Sequence, residues 1–308
     1  MKVNLQLTSK SRLSLSLIAV LTTIFALLMS QPSHAKVVHQ ERSMYRNILV
    51  EDTGNLRCLK FNVKSHKTNQ SCFLKSEPNR LVFNYTKLLF SGLLVNPNPE
   101  RILIIGLGGG TMSNTLHQLF PTARIENIEI DPAVIKVARQ YFDFFENDSV
   151  TSQAKDGRIF IKRAKMRGDA YDWIILDAFN GDYIPEHLMT KEFLQETKDL
   201  LTDNGIVTAN TFSVSKLYDY ESATYQAVFG DFYQVKNKKN ENRILLAGKK
   251  ALPQKTALEA NLTAMHDRLR PFGVNILQVF DSMTFDKDWQ LDSPVLTDQY
   301  SPANLLNQ

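Results

Sequence analysis

Four apolar residues in a row, Ile102-Leu103-Ile104-Ile105, run directly into Gly106-Leu107-Gly108-Gly109-Gly110-Thr111. An apolar run without polar alternation reads as a strand buried on both faces, the arrangement of a parallel sheet covered by helices. Glycines at its end let the backbone turn sharply and come close to a ligand. About twenty residues on, Arg124-Ile-Glu-Asn-Ile-Glu129-Ile-Asp131 repeats the pattern and ends in acids. An acid at that distance can accept hydrogen bonds from ribose hydroxyls. The turn is not the dinucleotide pattern G-x-G-x-x-G, because Gly110 leads straight into Thr111-Met112.

The alternation continues along the chain. Strands are expected at 101–106, 124–130, 171–177, 205–210, 232–236 and 242–247. Helices are expected at 111–119, 132–142, 157–165, 190–201 and 217–229. This order predicts an α/β fold with a doubly wound, mostly parallel Rossmann-like sheet, its ligand crevice at the carboxyl ends of the strands. The last strand pair, around Lys238 to Asn240, reads as an antiparallel edge. Residues 36–80 alternate in short pieces broken by Asp52-Thr53-Gly54-Asn55, which predicts a small antiparallel β region. Residues 81–94 carry apolar side chains at helical spacing, and Asn96-Pro97-Asn98-Pro99 punctuates the chain before the first core strand. The organisation expected is therefore a leader at 1–35, a β region at 36–80, the main domain at 81–250, and a helix and tail at 251–308 packed on that domain.

The leader is read from Lys2, Lys10 and Arg12, the apolar stretch Leu13 to Met29, and the small-x-small pattern Ser33-His34-Ala35. These are the parts of a secretory signal peptide, which predicts a periplasmic or secreted protein with no stable membrane span after processing; a retained N-terminal anchor is the alternative. Without residues 1–35 the formal charge falls from +4 to +1, so the basic balance gives no reason to expect nucleic acid. Cys58 and Cys72, the two cysteines, flank a polar turn. In an oxidising compartment they predict a disulfide across a hairpin, contributing at most about 3 kcal/mol; two separate buried thiols are the alternative.

Two further acids fall after strands: Asp156, followed by Gly157, and Asp177, which ends Tyr171-Asp-Trp-Ile-Ile-Leu176. A carboxylate facing the crevice at such a point can orient an amine or hold a cation, whereas an isolated Asp in a loop more often caps a helix. His117, His187 and His266 are scattered without ligand spacing, so no metal is expected.

Taken together, residues from about 80 to 247 resemble the spermidine synthase (polyamine aminopropyltransferase) family, built on the fold of class I S-adenosylmethionine-dependent methyltransferases. The resemblance is carried by the strand and turn from Arg101 to Thr111, by Glu129-Ile-Asp131 with Val134, by Asp156-Gly157, by Asp177 after Leu176, and by Tyr85 after Phe83-Asn84. It implies that an amine attacks the carbon next to a sulfonium and displaces methylthioadenosine, with decarboxylated S-adenosylmethionine or S-adenosylmethionine as co-substrate. It implies a cofactor site made of Gly106, Gly108, Gly109, Gly110, Glu129, Asp131, Asp156 and Gly157. Within it Glu129 would hold the ribose and Asp156 the adenine amino group. Asp177 would assist deprotonation of the amine, Tyr85 would position it, and a homodimer is possible.

The departures concern charge. Gly109 stands where the family carries an Asp in the turn. The loop reads Asp177-Ala-Phe-Asn180-Gly-Asp182 in place of Asp-Ser-x-Asp-Pro, and Lys87 replaces an acid. Carboxylates that would surround a cationic polyamine are thus missing, with Asp182 available to stand in for one. Burying polyamine charges without them is costly. Asn180, Asp182 and Lys87 are accordingly expected at the substrate, Lys87 facing an acidic group on the ligand. A methyltransferase using intact S-adenosylmethionine is a second reading, and an exported binding protein that kept the fold without the chemistry is a third.

Overall fold

In the computed structural model, residues 35–61, 69–179, 184–236 and 242–300 are described. Residues 1–34, where a leader is expected, Asn180 with Asp182, and the basic turn around Lys238 lie outside the described residues. The N-terminal region forms one antiparallel sheet from β1 (Lys36–Arg42), β2 (Asn47–Thr53), β3 (Leu56–Phe61) and β4 (Asn69–Leu74), in that order. Cys58 and Cys72 sit directly opposite each other on β3 and β4 and are joined by a disulfide, with Cα atoms 4.1 Å apart.

The 81–94 stretch does not make one helix. It forms α1 (Asn84–Leu89) and α2 (Gly92–Val95). Between them Phe90, Ser91, Leu93 and Leu94 donate to carbonyls three residues back, a tightening that breaks the α-helical repeat. The main sheet follows with β5 (Arg101–Ile105), α3 (Thr111–Leu119), β6 (Arg124–Glu129), α4 (Pro132–Tyr141), β7 (Val150–Ala154), α5 (Gly157–Arg167) and β8 (Tyr171–Leu176). It continues with α6 (Lys191–Asp199), β9 (Leu201–Phe212), α7 (Tyr218–Phe229), β10 (Tyr233–Lys236), β11 (Asn242–Gly248), α8 (Glu259–Leu269), α9 (Ile276–Asp281) and β12 (Met283–Thr284).

Strand order is β12-β10-β11-β9-β8-β5-β6-β7, with β7, β6, β5, β8 and β9 parallel. The chain winds outward from β5 to β7, then returns across β5 to β8, which puts the topological switch at the carboxyl ends of β5 and β8. Side chains of β5 divide between two layers. Ile102 and Ile104 pack with Leu89, Phe90, Leu116 and Leu269 on one face, while Leu103 and Ile105 pack with Phe160, Ile161, Phe193 and Val228 on the other. That division is why β5 reads as uninterrupted apolar sequence. A third cluster, Ile48, Val50, Leu59, Phe61 and Phe73 against Val134, Val137 and Phe142, seats the small sheet on α4.

Three elements depart from the sequence expectation. Strand β7, Val-Thr-Ser-Gln-Ala, has no apolar run, because it lies at the sheet edge and only Val150 in it is buried. Strand β9 extends to Phe212, since its second half pairs with β11 from Ile206↔Gly248 to Phe212↔Asn242. The β10–β11 hairpin is not the outer edge, because Met283 and Thr284 of the tail pair with Val235 and Gln234. Among the described residues no helix is long and apolar enough to cross a membrane.

Candidate active site

A cavity of about 280 Å³ opens at the carboxyl ends of β5, β6 and β8 and is closed on one side by the small N-terminal sheet. Its wall includes Gly106, Gly108, Glu129, Asp156, Gly157, Asp177 and Tyr85 from the sequence expectation. Five strand ends and loops far apart in sequence thus converge on one volume.

Glu129 ends β6 and is 7% exposed. Its carboxylate accepts from the Leu107 and Asp131 backbone N–H groups, each at 3.1 Å. Burial pushes its pKa up, and those two amides with nearby Arg46 offset part of the rise. The group is therefore fixed in direction at the end of the strand, as a ribose acceptor must be.

Asp177 follows β8. Asn210 Nδ2 donates to its Oδ1 at 2.8 Å and the Tyr85 hydroxyl donates to its Oδ2 at 3.3 Å. Its pKa is raised to about 7, chiefly by removal from water, with Asn210 and Tyr85 holding it down and the Glu129 charge adding to the rise. The Tyr85 phenol is pushed well above its ordinary value by burial and then by Asp177, so it remains a donor. Asn242 Nδ2 in turn donates to Asn210 Oδ1 at 3.0 Å, extending the network across β9 to β11. A carboxyl held near neutrality by burial and oriented by two donors has the properties of a general base.

Asp156 caps α5 through Oδ1, which accepts from Ile159 N–H at 2.9 Å. Its Oδ2 lies 2.9 Å from His187 Nε2. Both the capping role and a cavity-facing role are therefore filled by one side chain. An adenine amino group brought to Asp156 competes with His187 for Oδ2.

Four expected residues stand elsewhere. Asp131 is fully buried and absent from the cavity wall: it caps α4 by accepting from Ala133 N–H at 3.0 Å and takes the Ser43 hydroxyl, tying the β1–β2 turn to the main domain. Gly109 and Gly110 also lie behind the wall, against Ser71 with Phe142 and against Phe144 respectively. Lys87 is two residues beyond Tyr85 on α1, a spacing that does not share a helix face, and it is absent from the wall. Burial and Arg80 lower its pKa. Asn180 and Asp182 lie outside the described residues.

The space beside Gly109 is filled rather than open. A Cβ on Gly109 would come within 2.7 Å of Ser71 Oγ and 3.0 Å of the Phe142 ring. Gly109→Asp is expected to destabilise the protein by about 1–3 kcal/mol through overpacking. Adding Ser71→Gly should recover part of that loss, which urea unfolding of the single and double variants would measure.

Sequence reasoning missed Asn210, His187 and Arg46. Asn210 had a usable signal, an amide near the carboxyl end of a buried strand in Thr208-Ala-Asn210-Thr211. His187 meets Asp156 across 31 residues, and no spacing rule connects them. Arg46 enters from the N-terminal sheet, with its side chain 7% exposed and its guanidinium carbon 4.4 Å from the Phe61 ring centre. Among the described residues no group of three or more His, Cys, Asp or Glu could hold a metal ion.

Fold and site together define an α/β domain of the class I methyltransferase type with a cavity at its topological switch point. Residues 83–235 match the spermine/spermidine synthase domain family. A polyamine aminopropyltransferase of Vibrio vulnificus is 44% identical over 298 residues, spanning 96% of this chain and all of that one. The chain belongs to the spermine/spermidine synthase family. An eEF1A lysine and N-terminal methyltransferase of Xenopus laevis is 32% identical over 155 residues, 46% of this chain and 22% of that one. In fold, a probable spermidine synthase from Corynebacterium glutamicum superposes with a TM-score of 0.64 at 21% identity, covering 78% of this chain and 89% of that structure.

Proposed function

We propose that this protein transfers an aminopropyl group from decarboxylated S-adenosylmethionine to an amine. The observation that carries the reading is Asp177, set in the adenosyl-type cavity beside Glu129 and oriented by Asn210 and Tyr85. The 44% identity to a polyamine aminopropyltransferase over nearly the whole chain supports it. In the reaction the amine nitrogen attacks the carbon next to the sulfonium. An N–C bond forms, the C–S bond breaks with its electron pair going to sulfur, and neutral methylthioadenosine leaves. The proton lost by the attacking amine passes to the Asp177 carboxylate. Glu129 holds the ribose and Asp156 with His187 borders the base, so the donor's reactive carbon is presented rather than free to rotate.

The test is incubation of the mature chain with decarboxylated S-adenosylmethionine and putrescine, following methylthioadenosine release. Formation of methylthioadenosine together with the aminopropylated amine is expected. Methyl transfer from S-adenosylmethionine, giving S-adenosylhomocysteine, would favour the methyltransferase reading. Absence of binding to donor, S-adenosylmethionine and methylthioadenosine alike would leave the non-catalytic reading. A base must be ionised to act, so with an Asp177 pKa of about 7 kcat/KM is expected to fall about tenfold per pH unit below neutrality. A profile flat from pH 5 to 8 would remove Asp177 from that role.

An oxidising compartment, periplasmic or extracellular, is proposed with it. The Cys58–Cys72 bond and the Lys-rich, then apolar, leader support this.

A further inference from the structure

We infer that Arg46 makes this cavity select a substrate bearing a carboxylate, either on the adenosyl donor or on the amine acceptor. The inference rests on the transferase reading and adds to it a feature of the substrate.

Arg46 lies in the turn between β1 and β2 and lines the cavity together with Tyr45, Phe61, Glu129, Asp177 and Phe179. Its side chain is 7% exposed. A guanidinium has five donors and cannot shed its charge. Among the described residues only one donor is used, Nη1 to the Phe179 carbonyl at a long 3.4 Å, and the buried Nε has no hydrogen-bond partner.

The neighbouring acids do not account for it. Asp131 approaches no nearer than 3.8 Å to Nε, and it already accepts from Ser43 and Ala133. Glu129 is held by two backbone amides. The Phe61 ring supports the cation from one face and leaves its edge, where the N–H groups point, with only the long Phe179 bond. Leaving a buried guanidinium's donors unmet is costly, and a carboxylate is the group its fork matches.

Charge points the same way. A cation stands in the wall between Glu129 and the Phe179 end of the Asp177 loop. An entirely cationic pair of substrates would meet that cation with only Asp131 at 3.8 Å and the amide-held Glu129 to offset it. A carboxylate on either one removes the conflict. If it is on the acceptor, the product keeps it and the donor is the decarboxylated form proposed above; if on the donor, the group transferred is the 3-amino-3-carboxypropyl group in place of the aminopropyl group. The bonds made and broken are the same in both cases.

The test uses two matched pairs that differ by one carboxylate: S-adenosylmethionine against its decarboxylated form, and ornithine against putrescine, the amines measured with methylthioadenosine bound. Affinities are read by calorimetry on the mature chain, with methylthioadenosine alone as the probe of the adenosyl site. The wild type is expected to prefer the carboxylated member of one pair by about tenfold or more. Arg46→Gln should reduce that preference severalfold while methylthioadenosine still binds, and Arg46→Lys should restore only part of it. Preference within the first pair assigns the carboxylate to the donor, within the second to the acceptor. No preference in either pair by the wild type overturns the inference, whatever the variants do. So does a preference that Arg46→Gln leaves intact. Failure of methylthioadenosine to bind the wild type would instead defeat the adenosyl reading on which the inference stands.

Discussion

Asp177→Asn is expected to lower kcat/KM by about 10²–10⁴-fold, the range associated with losing a positioned general base, while leaving methylthioadenosine affinity within a few-fold. The amide keeps an oxygen to accept from Asn210 and has the same size, and its NH2 donates to the Tyr85 hydroxyl in place of accepting from it, so the placement survives while the base is lost. The same variant should be more stable than the wild type at pH 8. Asp177 has its folded pKa raised from the ordinary 3.8 to about 7, first by burial. The folded state therefore binds this proton more tightly than the unfolded state. The resulting stabilisation is fully present below pH 3.8 and is lost as pH rises through about 7. An amide never charges and escapes that loss. Its advantage is absent below pH 3.8, grows through the interval, and is at most about 4 kcal/mol above pH 7. Thermal melts of both proteins from pH 4 to 8 would measure it. A variant no more stable at pH 8 than at pH 4, relative to wild type, would mean that Asp177 is not buried as a charge in the free protein. Lower activity with higher stability is the signature of a polar group retained for chemistry.

Gly106→Ala should be the most damaging single methyl in the site, costing about 2–5 kcal/mol from left-handed strain and overpacking together. Gly106 has φ near +98°, and an added Cβ would lie 2.3 Å from the Asp177 carbonyl oxygen. The obstacle is backbone, which cannot rotate aside. Relief requires β5 and β8 to separate at their carboxyl ends, where Gly106 N–H donates to Ile128 and Asp177 N–H to Ile105. Activity should fall with stability, because Asp177 moves. Gly168→Ala is the matched control: it also has positive φ, near +74°, and an added Cβ there meets nothing within 4 Å. It should cost only the strain, about 1–2 kcal/mol, with activity unchanged. Equal losses in the two variants, read from urea midpoints, would show that the contact with Asp177 contributes nothing.

Much of the architecture was legible because its signals are local. Buried parallel strands such as Ile102 to Ile105 and Trp173 to Leu176 carry their burial in composition, and α3 begins where the glycines stop. The capping acids Asp131 and Asp156 announce α4 and α5. Strand β7 was not legible, since an edge strand with one buried residue has no period to detect. Neither was β12, a two-residue strand whose existence depends on β10 being already in place. The site divided similarly. Glu129 and Asp177 were expected at the cavity because each ends a recognisable strand, and Asp156 because Asp156-Gly157 leads into a recognisable helix. Asp131 was assigned to the ligand although it serves the fold, because an acid two residues after another looks the same in sequence whether it faces a cavity or caps a helix.

By itself the sequence determined the winding of the sheet, the end of it that holds the ligand and the acids placed there, since these follow from hydrophobic period, turn chemistry and strand ends. Only the tertiary structure decided the electrostatics. Asn210 and Tyr85 reach Asp177 from 33 and 92 residues away, His187 reaches Asp156, and Arg46 arrives from a separate sheet seated on α4. Lys87, the cation that the sequence put at the substrate, faces elsewhere by helical rotation, and Arg46 and Lys155 are the cations in the wall. Charge acts through space and burial, which residue order does not record, so the kind of site was readable along the chain while its sign and protonation were not.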